Sequence, residues 1–159
     1  MRLVFFVSGD FTSSGVLGGR LRSGVLTVGV LGAGTVGTQV IRLLTTQSQD
    51  FAARSGARLE ITGIAVRNTS APRDPAVPAE LVTDDALSVA TSNDLVIELI
   101  GGIEPARSLV LAAFKAGASV ISGNKALIAA HGPELYDAAA EAGTDFAKDV
   151  SAFYIFFWK

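Results

Sequence analysis

The chain has 159 residues, a net charge of −2 and no cysteine, with 49 % hydrophobic and 18 % charged residues. This length suits one domain with a buried core, and the composition is typical of a globular protein rather than a disordered one. The lack of cysteine excludes disulfides and thiolate metal sites, and a single histidine argues against a histidine-based metal centre. The small negative charge gives no reason to expect nucleic acid as a partner.

No apolar run approaches the roughly 18 residues that a membrane helix needs. Residues 1–7 carry an arginine followed by five apolar residues, which is shorter than the core of a secretory signal. We therefore expect a cytoplasmic protein with no membrane partner and no bound metal.

Composition divides the chain into three parts. Residues 1–23 are rich in glycine and serine without a clear period and are interpreted as a flexible leader. Residues 24–147 alternate β-branched runs with alanine-rich stretches, which is typical of an α/β domain. Residues 148–159 form an aromatic tail that includes Phe153, Tyr154 and Trp158. We thus expect one domain with irregular extensions at both ends.

Within the central part, hydrophobic periodicity and turn residues predict the elements in order. The predicted strands cover residues 26–31, 59–66, 95–100, Ser119–Ser122 and 144–147. The predicted helices cover residues 35–53, the segment opened by Glu104-Pro105 and closed by Gly117, and residues 133–142, with Gly143 as the closing residue. Residues 68–78 contain three prolines and are predicted to be a loop. Strands alternating with helices predict a Rossmann-type, doubly wound parallel sheet.

A Gly-x-Gly-x-x-Gly pattern directly follows the first predicted strand and opens the first predicted helix. In this context the first glycine makes a tight turn, the second admits a pyrophosphate, and the third lets helix and strand pack closely. The helix N-terminus offers free N–H groups to the phosphates. The alternative is a glycine-rich turn without a ligand. The predicted dinucleotide contacts are Gly32, Ala33, Gly34, Thr35, Val36 and Gly37.

The second predicted strand ends at Val66-Arg67-Asn68 and lacks the acidic residue that commonly holds the ribose of NAD. The first carboxylate beyond it is Asp74. A guanidinium at Arg67 would instead suit the 2′-phosphate of NADP. NADP is therefore favoured and NAD stays possible; the alternative is a solvated arginine at the start of a loop.

Two further segments follow the carboxyl ends of predicted strands, where ligands bind in open α/β sheets. Gly101 and Gly102 follow a strand that contains Glu98, and they form either a close approach to cofactor or a plain turn. Asn124 and Lys125 follow the next strand. Lys125 is either a surface lysine or a group that exchanges a proton with substrate. His131, before Gly132-Pro133, is interpreted as a residue at the start of a helix.

Three stretches together resemble the N-terminal domain of homoserine dehydrogenase, particularly its bacterial forms: VGVLGAGTVG at 28–37, VIELIGG at 96–102 and VISGNKALIA at 120–129. The similarity runs in order from about Val28 to Phe146. It implies NAD(P)-dependent interconversion of L-homoserine and L-aspartate 4-semialdehyde, in threonine and methionine biosynthesis. It also implies that Arg67 contacts the 2′-phosphate and that Gly101, Gly102 and Asn124 border the cofactor. Lys125 would lie near the nicotinamide and the substrate, where it would contact the cofactor and act as the catalytic proton donor or acceptor.

In the family, a substrate-binding domain that also forms the homo-oligomer follows this region, and the tail at 148–159 has no counterpart in it. Holding cofactor and substrate together in reactive geometry is worth about 7–11 kcal/mol of barrier, and in the family the substrate is held by that second domain. We therefore expect the 159-residue chain to bind nucleotide but to be nearly inactive alone. Other interpretations are a different amino-acid dehydrogenase such as aspartate dehydrogenase, a non-catalytic nucleotide-binding module, or a piece that does not fold stably.

Overall fold

The strand before the glycine pattern lies at the centre of a parallel sheet. The computed structural model describes residues 24–55 and 57–148. Within them, six strands run parallel in the order β3-β2-β1-β4-β5-β6. The strands are β1 Val25–Leu31, β2 Arg58–Ala65, β3 Val82–Thr83, β4 Leu95–Glu98, β5 Ser119–Ser122 and β6 Phe146–Ala147.

Helices cover both faces of this sheet, as a doubly wound fold requires. The helices are α1 Thr35–Thr46, α2 Ser48–Ser55, α3 Ala86–Thr91, α4 Ala106–Lys115 and α5 Lys125–Ala142. On one face, α1 buries Val40, Ile41 and Leu44 against inward residues of β1 and β4. On the other, α3, α4 and α5 pack in a second cluster that contains Phe114 and Phe146. The predicted fold class is confirmed.

The helix predicted over residues 35–53 is two helices, because α1 ends at Thr46 and α2 begins at Ser48. The hydroxyls of Thr45 and Thr46 donate to the carbonyls of Ile41 and Arg42, both at 2.8 Å. Such back-bonding slightly destabilises a helix and often bends it. The apolar spacing from which the long helix was predicted does not reveal these two bonds.

Three short elements were not predicted: the 3-10 helix Ala79–Leu81, β3 at the sheet edge and α3 between β3 and β4. Asp85 caps α3 by accepting the N–H of Ser88 at 2.9 Å. This helix lies very close to the sheet, because a Cβ at Gly29 would fall 2.8 Å from the carbonyl oxygen of Val89. A Cβ at Gly63 would fall 3.0 Å from Cγ2 of Val89, so α3 rests on two glycines of β1 and β2.

Helix α5 begins at Lys125, and the predicted start at Pro133 is wrong. Asn124 caps it, since its side-chain oxygen accepts the N–H of Leu127 at 3.1 Å. Pro133 lies inside the helix, although proline lacks the N–H that would bond to the carbonyl four residues earlier. His131 is therefore inside a helix rather than at its start, with Nδ1 at 3.1 Å from Oε2 of Glu134.

The other predicted boundaries are close to those observed. Helix α4 ends before Gly117, whose N–H donates to the carbonyl of Phe114 at 2.8 Å, and Gly143 closes α5. Pro105, which follows a cis peptide bond, immediately precedes α4 rather than lying in its first turn. The predicted strand 95–100 ends at Glu98, and the last strand is limited to Phe146–Ala147.

The predicted leader at 1–23 and all but the first residue of the predicted tail at 148–159 lie outside the described residues. Across residues 24–55 and 57–148, no helix is both long and apolar enough to cross a membrane.

Candidate functional site

The site residues predicted from the sequence lie together beyond the carboxyl ends of the strands. β1 pairs with β2 on one side and with β4 on the other. After β3 the chain crosses back over β1 to form β4, so the strand order reverses at the boundary between β1 and β4, the switch point of the sheet. Ligands of open α/β sheets bind in the crevice beyond the carboxyl ends of the strands at this point. Gly32, Arg67, Gly101 and Lys125 each follow the carboxyl end of a different strand of this sheet.

The glycine turn after β1 is in contact with the loop after β4. Gly32 has a φ of 101°, in the region that favours glycine, and a Cβ there would lie 2.8 Å from the carbonyl oxygen of Leu99. The N–H of Leu99 donates to the carbonyl of Leu31 at 2.8 Å. The loops after β1 and β4 are therefore in direct contact at the switch point.

The other two glycines of the pattern differ in their surroundings. A Cβ at Gly37 would lie 2.1 Å from the carbonyl oxygen of Gly32, so helix α1 packs directly on the turn. A Cβ at Gly34 would have no heavy atom within 4 Å among the described residues. Gly37 thus serves close packing, whereas Gly34 leaves open space in front of the helix.

The N-terminus of α1 is suited to an anion. Gly34 precedes the helix and provides no side-chain cap, and the first turn contains no acidic residue. Thr38 is the first residue whose N–H donates back to the turn, at 2.8 Å from the carbonyl oxygen of Gly34. The N–H groups of Thr35, Val36 and Gly37 belong to the first turn, which has no helical partners for them. These groups and the open space at Gly34 fit a pyrophosphate.

Arg67 is exposed just beyond β2, and the described part of the chain gives it no ion-pair or hydrogen-bond partner. The loop that follows is ordered by Arg73, which donates to the carbonyls of Asn68, Thr69 and Ala71. Arg67 is therefore available to an anionic ligand, whereas the Arg73 guanidinium is used by the loop itself.

Asp74, the first carboxylate after β2, is already engaged. It accepts from Nη2 of Arg42 at 2.7 Å and from the N–H of Ala76 at 2.8 Å. The Ala76 N–H and the Arg42 guanidinium together hold the pKa of Asp74 below its ordinary value. Asp74 is thus a loop and helix anchor rather than a free acceptor for a ribose hydroxyl.

Gly101 and Gly102 have φ values of 81° and 77°, and a Cβ at either would meet nothing within 4 Å among the described residues. The carbonyl of Gly102 accepts from the side-chain amide of Asn124, which joins this loop to the start of α5. Lys125 is exposed as the first residue of α5. The loop and the lysine therefore border the same crevice.

Asn124 uses both ends of its side-chain amide within the protein, one on Leu127 and one on Gly102. Its predicted contact with cofactor stays a prediction, and in the structure its side chain holds two loops together. Sequence analysis did not find this link, nor the bonds that continue it: the N–H of Asn124 donates to the Ser122 hydroxyl oxygen, and that hydroxyl donates to Glu98. The sign of this network in the sequence was Glu98, a glutamate within an otherwise apolar strand.

A separate ionic cluster joins the start of α4 to α5. Arg107 donates to both carboxylate oxygens of Glu134, and it lies 3.4 Å from Glu104. The Arg107 guanidinium holds the pKa of Glu134 below its ordinary value, with a smaller contribution from His131. The hydroxyl of Ser108 lowers the pKa of Glu104 in the same way.

Within the described residues, no three histidine or acidic side chains are grouped so that they could hold a metal ion.

Comparison with known proteins gives the family of this domain. Residues 32–148 match the family model described as the NAD-binding domain of homoserine dehydrogenase. The homoserine dehydrogenase of Corynebacterium glutamicum is 51 % identical over 120 residues, which is 74 % of this chain and 27 % of that protein. That of Mycobacterium tuberculosis is 42 % identical over the same length.

Solved structures give the same result. The crystal structure of S. aureus homoserine dehydrogenase at pH 8.5 aligns with a TM-score of 0.74 and 31 % identity, covering 80 % of this chain and 32 % of that one. The chain spans about a quarter of the length of the curated relatives that it matches, with 27 % of each covered.

Proposed function

This chain belongs to the homoserine dehydrogenase family through its NAD-binding domain, and from that premise we propose that it binds NADP at the sheet's switch point. We further propose that it serves the interconversion of L-homoserine and L-aspartate 4-semialdehyde. The contact between Gly32 and Leu99 carries this proposal, because it supports a single cofactor path from the glycine turn to the Gly101–Gly102 loop.

The cofactor path divides into three contacts. The first-turn N–H groups of α1, from Thr35 to Gly37, take the pyrophosphate. Arg67 takes the 2′-phosphate, for which a planar guanidinium is well suited. The Gly101–Gly102 loop lies along the nicotinamide half, where the lack of side chains lets the ligand approach the backbone. The cofactor supplies the hydride chemistry when bound.

The preference for NADP over NAD rests on two neighbouring charges. Arg67 has no partner among the described residues, so its charge is free for a phosphate. Asp74 is held by Arg42 and by a backbone N–H, so its carboxylate does not compete with that phosphate or offer itself to the two ribose hydroxyls of NAD. Both observations favour the phosphorylated cofactor.

Lys125 is the proposed catalytic residue. It is the exposed first residue of α5 and directly follows Asn124, whose side chain bonds to the Gly101–Gly102 loop. A lysine there can exchange a proton with the substrate hydroxyl while that oxygen becomes a carbonyl. Family membership favours homoserine over the substrates of other amino-acid dehydrogenases.

Calorimetric titration of the 159-residue chain with NADPH and NADH tests the proposal. We expect both to bind, with NADPH tighter by about tenfold, the worth of one charge-assisted hydrogen bond. Tighter binding of NADH would contradict the assignment of Arg67. Failure to bind either nucleotide would contradict the proposed site as a whole.

A further inference from the structure

Glu98 takes no part in the cofactor path proposed above, although its carboxyl group is fully buried at the carboxyl end of β4. We propose that Glu98 is a positioning residue, which holds the Gly101–Gly102 loop and the start of α5 in fixed relation through Ser122 and Asn124. The inference rests on the proposed function, since it assigns the nicotinamide half of the cofactor to that loop and proton exchange to Lys125.

Glu98 first binds its own loop. Its Oε1 accepts the N–H of Ile100 at 2.8 Å, two residues further along the chain. Its main-chain carbonyl accepts the N–H of Gly123 at 3.0 Å, at the end of the neighbouring strand. One residue therefore fixes the exit of β4 and also contacts the exit of β5.

The second oxygen of Glu98 continues the link to β5. Oε2 accepts the hydroxyl proton of Ser122 at 2.6 Å. The Ser122 oxygen in turn accepts the main-chain N–H of Asn124 at 3.1 Å. Because a hydroxyl has one proton, its donation to Glu98 leaves the oxygen lone pairs for Asn124. The carboxylate thus orients the Ser122 hydroxyl so that its oxygen can accept the Asn124 N–H.

Asn124 closes the network on the loop where it began. Its side-chain oxygen caps α5 through Leu127, and its side-chain nitrogen donates to the carbonyl of Gly102. The chain of bonds runs from Glu98 through Ser122 and Asn124 to Gly102, while Ile100 joins Glu98 to the same loop. This closed ring of hydrogen bonds fixes the backbone of Asn124 and therefore also the position of Lys125, the next residue.

A purely structural role would not require a carboxyl group here. The neighbours Val96 and Ile97 show that β4 otherwise fills its core positions with apolar side chains. Burying a carboxyl group is costly unless it is well hydrogen-bonded, and an apolar residue would avoid that cost. The side-chain bonds of Glu98 are directed to the two strand exits that border the crevice.

The test compares two ligands that share one end. NADPH spans the whole path, whereas 2′,5′-ADP lacks the nicotinamide half. In the 159-residue chain we expect Glu98→Gln to weaken NADPH about five- to tenfold, as loss of a buried hydrogen bond would, and to change 2′,5′-ADP by less than about twofold. Ser122→Ala should give the same pattern, and the double variant should lose no more than either single one.

Asp94→Asn is the matched control. Asp94 precedes the same strand and joins it to β1, with its carboxylate at 3.0 Å from the N–H and 2.9 Å from the hydroxyl of Thr27, at the opposite edge of the sheet. This variant should melt at a lower temperature and leave the ratio of the two affinities unchanged.

A second readout follows Lys125 itself. The chain contains four lysines, so reductive methylation with ¹³C gives a small set of side-chain NMR signals. We expect the Lys125 signal, assigned by Lys125→Arg, to move in Glu98→Gln and Ser122→Ala without NADPH present. The signal of Lys115, at the end of α4, should stay in place.

The outcomes separate the two proposals. If wild-type chain binds NADPH and both variants weaken the two ligands equally, or leave Lys125 unmoved, the positioning role is wrong while the proposed function stands. If wild-type chain does not bind NADPH, the proposed function falls and this inference falls with it. Should Glu98→Gln not fold, Ser122→Ala, which removes only one hydroxyl, decides the matter.

Discussion

The carbonyl oxygen of Gly32 lies 2.1 Å from the point that a Cβ atom of Gly37 would occupy. The first and third glycines of the pattern are thus in direct packing contact, five residues apart in sequence. The second, Gly34, faces open space. Positions that share one motif therefore differ in what a substitution would do to them.

Gly37→Ala should destabilise the fold as well as abolish nucleotide binding. The added methyl cannot be accommodated without moving the turn or the helix, and overpacking of this kind costs about 1–3 kcal/mol. Thermal melting of the ligand-free chain measures the loss. Gly34→Ala is the matched control, and we expect it to melt like wild type while binding NADPH more weakly. A normal melting temperature for Gly37→Ala would contradict the packing contact.

Arg67→Ala should raise the Kd for NADPH by at least about tenfold, since a charge-assisted contact to phosphate is removed. Little change is expected for NADH, which has no 2′-phosphate. Arg58→Ala serves as the control, because Arg58 lies at the other end of β2 in an exposed pair with Glu60. Equal weakening of NADPH and NADH by Arg67→Ala would show that Arg67 acts on the fold or on a shared part of the ligand.

Asp74→Asn should leave the preference between NADPH and NADH unchanged. The carboxylate is directed at Arg42 and at the N–H of Ala76, so its removal frees neither a ribose contact nor a repulsive charge at the phosphate. We expect a slightly lower melting temperature, because an exposed ion pair contributes little. A large gain in NADPH affinity, measured by titration, would show that Asp74 faces the ligand.

Glu134 gives the chain a predictable response to acid. Arg107 holds its folded-state pKa below the ordinary value of 4.5. A lowered pKa means that the ion pair stabilises the fold above that value, and that this contribution is lost as the pH falls through the lowered pKa. The melting temperature of wild type should therefore exceed that of Glu134→Gln near neutral pH, and the difference should vanish in strong acid.

The control for that comparison is Glu141→Gln, at an exposed position near the end of the same helix. Its melting temperature should follow wild type at every pH. A difference between wild type and Glu134→Gln that persists unchanged in acid would show that the ion pair is not its cause.

Local signals in the sequence were enough to place the glycine turn, Arg67 and Lys125 at one sheet edge. Strand β1 is a buried apolar run, and Gly32 follows it directly, so the position of the turn depends on neighbours in sequence. The predicted helix start at Pro133 failed for the opposite reason. There a proline is usually a boundary, but the cap at Asn124 lies nine residues earlier and the helix continues through Pro133.

The link from Glu98 to Asn124 was out of reach of sequence analysis, because it depends on how β4 and β5 are aligned. Glu98 is paired with Ser122 in register, and that pairing brings the carboxylate to the hydroxyl. Helix α3 was missed because its six residues are too few to display a helical period. The partner of Asp74 lies 32 residues away on α1, again beyond any local pattern.

The close seating of α3 on Gly29 and Gly63 has a bearing on saturation mutagenesis. A scan of this chain scored by nucleotide retention would mark these two strand positions as intolerant, much as it marks Gly32 and Gly37. Yet Gly29 and Gly63 face a helix backbone and side chain rather than the crevice. A map of intolerant glycines would therefore outline two separate surfaces, and only one of them is where a nucleotide analogue should be aimed.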